Sequence, residues 1–286
     1  MTKMEKLQKR LREYRNSPGS FIIFLLLVLS AIITAGVTFS IIIYVAVKGI
    51  PYLDPDMFSL KYTEENQSML PSIINTIYMT ALSLLFAVPV GIGCAIYLVE
   101  YARRGNKFVT VIRLTAETLS GIPSIVYGLV GYLIFVIGLK LGLTLLGGSL
   151  TMATMILPLI MRTTEEALIA VPDMYREGSY GLGAGRLRTI FSIILPSAVP
   201  GILSGVILGV GRVVGETAAL IFTAGSVAKA ATSLMSSSRT LSVHMYIQQS
   251  EGLHMNEAFA TAVVLLIVVV IINLASELIA GKLTKK

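Results

Sequence analysis

The chain has 286 residues, 55% of them apolar and only 14% charged, with a formal net charge of +7 and a mean hydropathy of +0.80. That balance excludes a soluble globular domain; long continuous apolar runs assign an all-α, polytopic helical membrane protein. The basic residues lie in short flanks of apolar spans, so they report topology, and a nucleic-acid partner has no support.

Six transmembrane helices are predicted, at about 21–47, 73–99, 119–138, 143–161, 193–222 and 258–281, each near or above the ~20 residues needed to cross a bilayer. Residues 1–20 carry Lys3, Lys6, Lys9, Arg10, Arg12 and Arg15. The run that follows is too long for a signal peptide and is read as a retained first span. An acidic extracellular loop occupies 48–72. Residues 73–281 form a five-helix core that includes a cytoplasmic loop at 162–196, and 282–286 form a tail. One set of loops and termini holds seventeen Lys and Arg, among them Arg103, Arg104, Lys107, Arg113 and Arg162; the other set holds five, among them Lys48, Lys140 and Arg239. The excess marks the cytoplasmic side, so both termini are expected there in a multi-pass cell-membrane protein.

In the second span, Asn75 and Thr76 read as an interfacial cap at the outer end, ahead of a place lining the outer vestibule, and Pro89 reads as a kink. Cys94 lies inside this span as the only cysteine, which removes an internal disulfide and a thiol metal site. Gly121, Pro123 and Ser124 loosen the start of the third span. Such a start suits a gate, although physically a simple helix entry accounts for it better. Glu117, Glu165 and Glu166 are expected on solvated or interfacial faces.

In the cytoplasmic loop, Pro172 suits a first helical turn and Asp173 a helix N-terminus. A short helix over 172–180 follows, ended by Gly181, Gly183 and Gly185. A second helix restarts at Arg186 and enters the membrane near Pro196. The spacing of Glu177, Gly178, Ser179, Gly183, Ile193, Leu195 and Pro196 resembles the EAA loop of ABC-importer permeases, with the two alanines replaced by Gly178 and Ser179. That resemblance implies a cytoplasmic helix that docks into a groove on an ATPase subunit.

The fifth span carries Arg212 and Glu216, and charges at membrane depth are costly and rarely idle. Four residues apart on a helix, they fall within pairing reach. At ~100° per residue, Gly201, Gly205, Gly209, Arg212 and Glu216 share an arc of about 80°, a small-residue face that lets another helix approach. Two roles fit: an ion pair that fixes packing, or a guanidinium on an anion path countered by Glu216.

The segment Gly211 to Ala224, GRVVGETAALIFTA, is similar to the signature of phosphate-specific ABC permeases, and Ser120 to Gly128, SGIPSIVYG, is similar to a second part of it. The continuation after Thr217 resembles the A-type of the two paired phosphate permeases. The resemblance implies a type I ABC-importer permease fold, a substrate path including Arg212, Glu216 and Thr217, and gate candidates Gly121, Pro123 and Ser124. It also implies a second, C-type permease, two copies of a cytoplasmic ABC ATPase and an extracellular or periplasmic phosphate-binding protein. The chain has no G-x-x-x-x-G-K-[ST] motif, so ATP is expected to act through the partner ATPase, with no cofactor bound directly. No nucleophile–base constellation supports covalent catalysis, and His244 and His254 lack metal-ligand spacing, so no enzyme and no metal site are expected. A permease for sulfate or molybdate, an ion-coupled carrier and a non-transporting scaffold or sensor are the competing readings.

Overall fold

The computed structural model describes residues 18–284 except residue 104. The basic segment through residue 17, Arg104, Lys285 and Lys286, counted above for orientation, lie outside the described residues. Among these the architecture is all-helical, without strands. Helix α1 spans Pro18–Gly49, α2 Leu70–Tyr101, α3 Lys107–Ser120, α4 Ser124–Gly138, α5 Leu145–Ile169 and α6 Asp173–Gly181. Then follow α7 Arg186–Val214, α8 Ala218–Thr223, α9 Leu241–Glu251 and α10 Met255–Thr284.

Among the described residues, five helices are long and apolar enough to cross a membrane: those based on α1, α2, α5, α7 and α10. A sixth span exists if α3 and α4 count as one, but they meet at 107°. The third span is therefore not the continuous helix expected at 119–138. Pro123 supplies no backbone N–H and disfavours the helical region for the residue before it, so the helix breaks across Gly121–Ile122–Pro123. Alone, α4 is about 22 Å long at 1.5 Å per residue, short of the ~30 Å hydrocarbon core.

The fourth span also differs. Helix α5 continues to Ile169, so Arg162, Glu165 and Glu166 belong to its last turns rather than to a loop. The fifth is corrected at its far end: α7 begins at Arg186, where the restart was expected, but stops at Val214, eight residues before the expected end.

The core is built on α2, α5 and α7, with α10 against α7. Small residues set the spacing. A Cβ placed on Gly201 would stand 2.6 Å from the Ala167 Cβ, and one on Gly205 would collide with the Thr163 side chain. The small face of α7 is thus filled by α5. Met79, Met152, Ile156, Ile160 and Leu220 bury fully within the main apolar cluster; a second cluster at the α6 end gathers Leu98, Leu168, Val171, Ile194 and Ala198. Helix α1 is peripheral and packs on α10. Only Gly49 of it is buried, against the Phe259 backbone and Val263 on α10, with Tyr44 edge-on to the Phe259 ring at 5.9 Å.

Candidate functional site: a short loop helix and a broken span

Helix α6 lies between the ends of α5 and α7. Pro172 precedes its first residue, and Asp173 sits in its first turn, where a carboxylate meets the positive end of the helix. Glu177 and Gly178 are exposed, and no hydrogen bond or ion pair engages the Glu177 carboxylate among the described residues. Ser179 is buried, its Oγ 2.8 Å from the Thr189 Oγ1, which ties α6 to the first turn of α7. Gly183 adopts φ +82°, the left-handed conformation that favours glycine, and its N–H donates to the Tyr180 carbonyl at 2.9 Å. Ile193 and Leu195 are half-buried against the second apolar cluster, and Pro196 is exposed. Met174 and Leu182 stand 72% and 91% exposed beside Glu177, an apolar surface on a charged loop.

No alanine is needed at 178 for steric reasons. A Cβ there would meet nothing within 4 Å, so the departure from the EAA pattern leaves room for the side chain it lacks.

The residue that anchors α6 is one the sequence did not single out. Arg176 donates through Nη2 and Nε to the Glu100 Oε1, at 2.8 and 3.1 Å. It also donates to the carbonyls of Leu168 at 3.0 Å and Val171 at 2.8 Å, and to the Asp173 Oδ1 at 3.2 Å. Its side chain is 14% exposed and that of Glu100 5%. The only available sequence signal was a glutamate at the end of an apolar span. Glu165, expected on a solvated face, is buried and accepts from the Arg113 Nε at 2.6 Å, joining α3 to α5. The reason is the bend: α3 folds back along α5 and covers that face.

The opposite end of the core holds the second constellation. Arg212 and Glu216 do not lie on one helix and form no ion pair, which corrects the expected pairing. Gly215 caps α7, its N–H donating to the Gly211 carbonyl at 3.2 Å, and Thr217 departs from helical geometry at φ −125°, ψ −56°. With the helix interrupted between them, the four-residue spacing no longer stacks the two side chains. The Glu216 Oε1 instead accepts from the Ala219 N–H at 3.2 Å, capping α8, and its carbonyl accepts from the Ser242 Oγ at 2.5 Å. Arg212 is half-buried and has no hydrogen bond or ion pair among the described residues.

Helix α8 packs on α4. A Cβ on Gly128 would stand 2.7 Å from the Ala219 Cα and 3.3 Å from the Phe222 ring. Gly128 and Ala219 belong to the two signature-like segments, so these meet in space through a close backbone approach. Gly121 and Pro123 cap the ends at the α3/α4 break, Ser124 opens α4, and the Tyr127 hydroxyl reaches back across the break to the Leu119 carbonyl at 2.9 Å.

Asn75 and Thr76 are fully buried rather than interfacial. The Asn75 Nδ2 donates to the Lys229 and Arg239 carbonyls at 2.8 and 3.2 Å, and its Oδ1 accepts from the Ala231 N–H at 2.8 Å. The Thr76 Oγ1 accepts from the Leu241 N–H at 2.9 Å. These two side chains hold the segment between α8 and α9 against α2. His244 on α9, outside the spans, is fully buried with its Nε2 3.3 Å from the Gln67 carbonyl; burial, then the Arg239 charge, push its imidazole down to about 3 despite that contact.

Residues 87–286 match the family described as binding-protein-dependent transport system inner membrane component. The chain is 32% identical to a probable ABC transporter permease protein, YqgI, of Bacillus subtilis (strain 168), over 90% of this chain and 94% of that one. It is 33% identical to the phosphate transport system permease protein PstA 1 of Mycobacterium tuberculosis (strain CDC 1551 / Oshkosh), over 75% of this chain and 71% of that one. Among solved structures, a bacterial alginate ABC transporter chain superposes with a TM-score of 0.70 at 17% identity, covering 96% of this chain and 99% of that one. A MetNI methionine ABC transporter chain gives 0.58 at 18% identity, covering 76% and 94%. These two likenesses concern the fold.

Proposed function

The chain belongs to the binding-protein-dependent transport inner membrane components, and from that premise we propose that it is a permease subunit of an ATP-driven importer of inorganic phosphate. The observation that carries the anion reading is Arg212: a half-buried guanidinium at the end of α7, beside the break at 215–217, with no carboxylate paired to it among the described residues. In low-dielectric surroundings such a group attracts a tetrahedral oxyanion strongly, and its planar fork can donate two parallel hydrogen bonds. Glu216 is occupied at the Ala219 N–H and leaves the guanidinium available. A movement at the break that carried Glu216 to Arg212 would neutralise the guanidinium and release the anion inward. The kinship with phosphate permeases selects phosphate among oxyanions.

The coupling side of the cycle falls to α6. Its exposed Glu177, Met174 and Leu182 form the surface offered to a cytoplasmic ATPase, with Gly183 shaping the turn and Ile193, Leu195 and Pro196 leading into α7. A second, C-type permease completes the path, and a phosphate-binding protein delivers the anion from outside. The termini are cytoplasmic in this arrangement. Gly121, Pro123 and Ser124, at the α3/α4 break, are the gate candidates.

The test is labelled-phosphate uptake by the reconstituted complex, wild type against Arg212→Gln, with sulfate and molybdate as competitors. Uptake is expected to vanish in the variant while the complex still assembles. Unchanged uptake overturns the role of Arg212, and equal competition by sulfate or molybdate overturns the choice of phosphate.

A further inference from the structure

Helix α6 is joined by the chain to α5 and α7, so a push on it reaches those two helices directly. Helix α2 has no such connection, since Glu100 and Arg176 are 76 residues apart. Yet the Arg176 guanidinium grips the end of α2 as firmly as it grips the turn after α5. Its two bonds to Glu100 hold one helix, and its bonds to the Leu168 and Val171 carbonyls hold the other. Breaking such a buried pair leaves an uncompensated charge, so this contact resists parting.

The other end of α2 is engaged as well. Thr76 accepts from the Leu241 N–H, and the next residue, Ser242, donates to the Glu216 carbonyl inside the α7/α8 break. Asn75 fastens the same outer segment through three further bonds. From Thr76 to Glu100 the helix runs about 36 Å at 1.5 Å per residue. The break is thus held on one side by α7 and on the other by α9, which hangs on α2. Both supports are gathered at the cytoplasmic end by α6: α7 through the chain and the Ser179–Thr189 contact, α2 through Arg176–Glu100.

We propose that Glu100 and Arg176 are positioning residues that make α2 a second rod, relaying movement of the docking helix through Thr76 and Ser242 to the break beside Arg212. This inference rests on the import reading above. With the pair intact, α2 and α7 share one footing, and a displacement of α6 alters both supports of the break together. With it severed, α2 loses its charged tie to α6 and keeps only its packing on α5 and α7, so less of the movement reaches α9 and Glu216. Energetic coupling over such a distance requires a contiguous set of contacts with discrete arrangements, and this one is continuous from end to end.

The experiment measures phosphate transported per ATP hydrolysed by the reconstituted complex for wild type, Glu100→Gln, Arg176→Gln, the double variant and Ser242→Ala. The single variants at the pair are each expected to lower that ratio about tenfold while ATP hydrolysis continues. The double variant should be no worse than either single one, because all three lose the same contact. Ser242→Ala, which removes one hydroxyl at the far end and leaves the buried pair in place, should lower the ratio too; it decides the matter if the pair variants fail to assemble. A wild-type ratio in Ser242→Ala, or in an assembled Glu100→Gln complex, overturns the proposal. A general loss of both hydrolysis and transport assigns the pair a purely structural role and also overturns it. If the wild-type complex hydrolyses ATP and takes up no phosphate, the substrate reading fails instead, and the loss appears before any variant is compared.

Discussion

Arg176 and Glu100 stand 76 residues apart and form a closed, buried pair; Arg212 and Glu216 stand four apart and form none. The first arginine is engaged by protein on every side, by the carboxylates of Glu100 and Asp173 and by two carbonyls. The second lies at the end of a helix whose continuation is interrupted, while its nearest glutamate caps the next helix. Backbone course, not sequence distance, decides which carboxylate a guanidinium meets. The closed pair suits transmission of force, because it does not exchange partners easily. The open arginine suits a traveller, because nothing has to be displaced before an anion arrives.

Removing the guanidinium from the closed pair is the severest way to test this contrast. Arg176→Ala leaves the Glu100 carboxylate buried without its partner, and unfolding of the detergent-solubilised protein should come earlier by the equivalent of about 3–5 kcal/mol. An unchanged melting temperature would mean that the pair is solvated. A third treatment of a buried ionisable group is found at His244, which stays neutral. Its folded pKa of about 3 lies below the ordinary 6.5, so the unfolded state binds more protons between those values. The stability it contributes is full above pH 6.5 and declines as pH falls toward 3. Melting curves between pH 7 and 4 should show a slope that His244→Gln flattens. Next in size comes the docking helix. Gly178→Ala fills empty space on an exposed helical face and should stabilise by about 0.5–1 kcal/mol, with uptake retained. The smallest effect on stability falls on the open arginine. Arg212→Gln breaks no ion pair, so its melting should stay within about 0.5 kcal/mol of wild type even as uptake is lost. A large destabilisation there would return Arg212 to a packing role.

Much of the fold was legible in the sequence. Apolar runs long enough for a bilayer marked the helices that cross it, and the glycines at 201, 205 and 209 marked the face on which α5 rests. Helix α6 could be drawn from Pro172, Asp173 and the glycines after it, since capping and left-handed turns are local chemistry. What escaped were two interruptions inside apolar stretches and the contacts that depend on them. A hydropathy run through Val214 and Phe222 stays apolar whether or not Gly215 to Thr217 breaks the helix. Likewise Glu165 reads as a solvated residue until the bend at Pro123 lays α3 over it. Arg176 with Glu100, and Asn75 with the outer segment, are long-range partnerships that no local pattern announces.

The peripheral position of α1 has its own consequence. Its apolar stretch from 21 to 47 is about 40 Å long, which exceeds a ~30 Å hydrocarbon layer. Such an excess is relieved by tilting or by thickening the surrounding lipid. Its packing is on α10 alone, through Gly49, Tyr44 and the half-buried Val45 and Ala46, so a tilt of α1 would disturb that one seam and leave the helices behind it in place. A thicker, stiffer membrane would straighten this outrigger and a thinner one would lay it over, so lipid composition is accommodated at the periphery of the subunit.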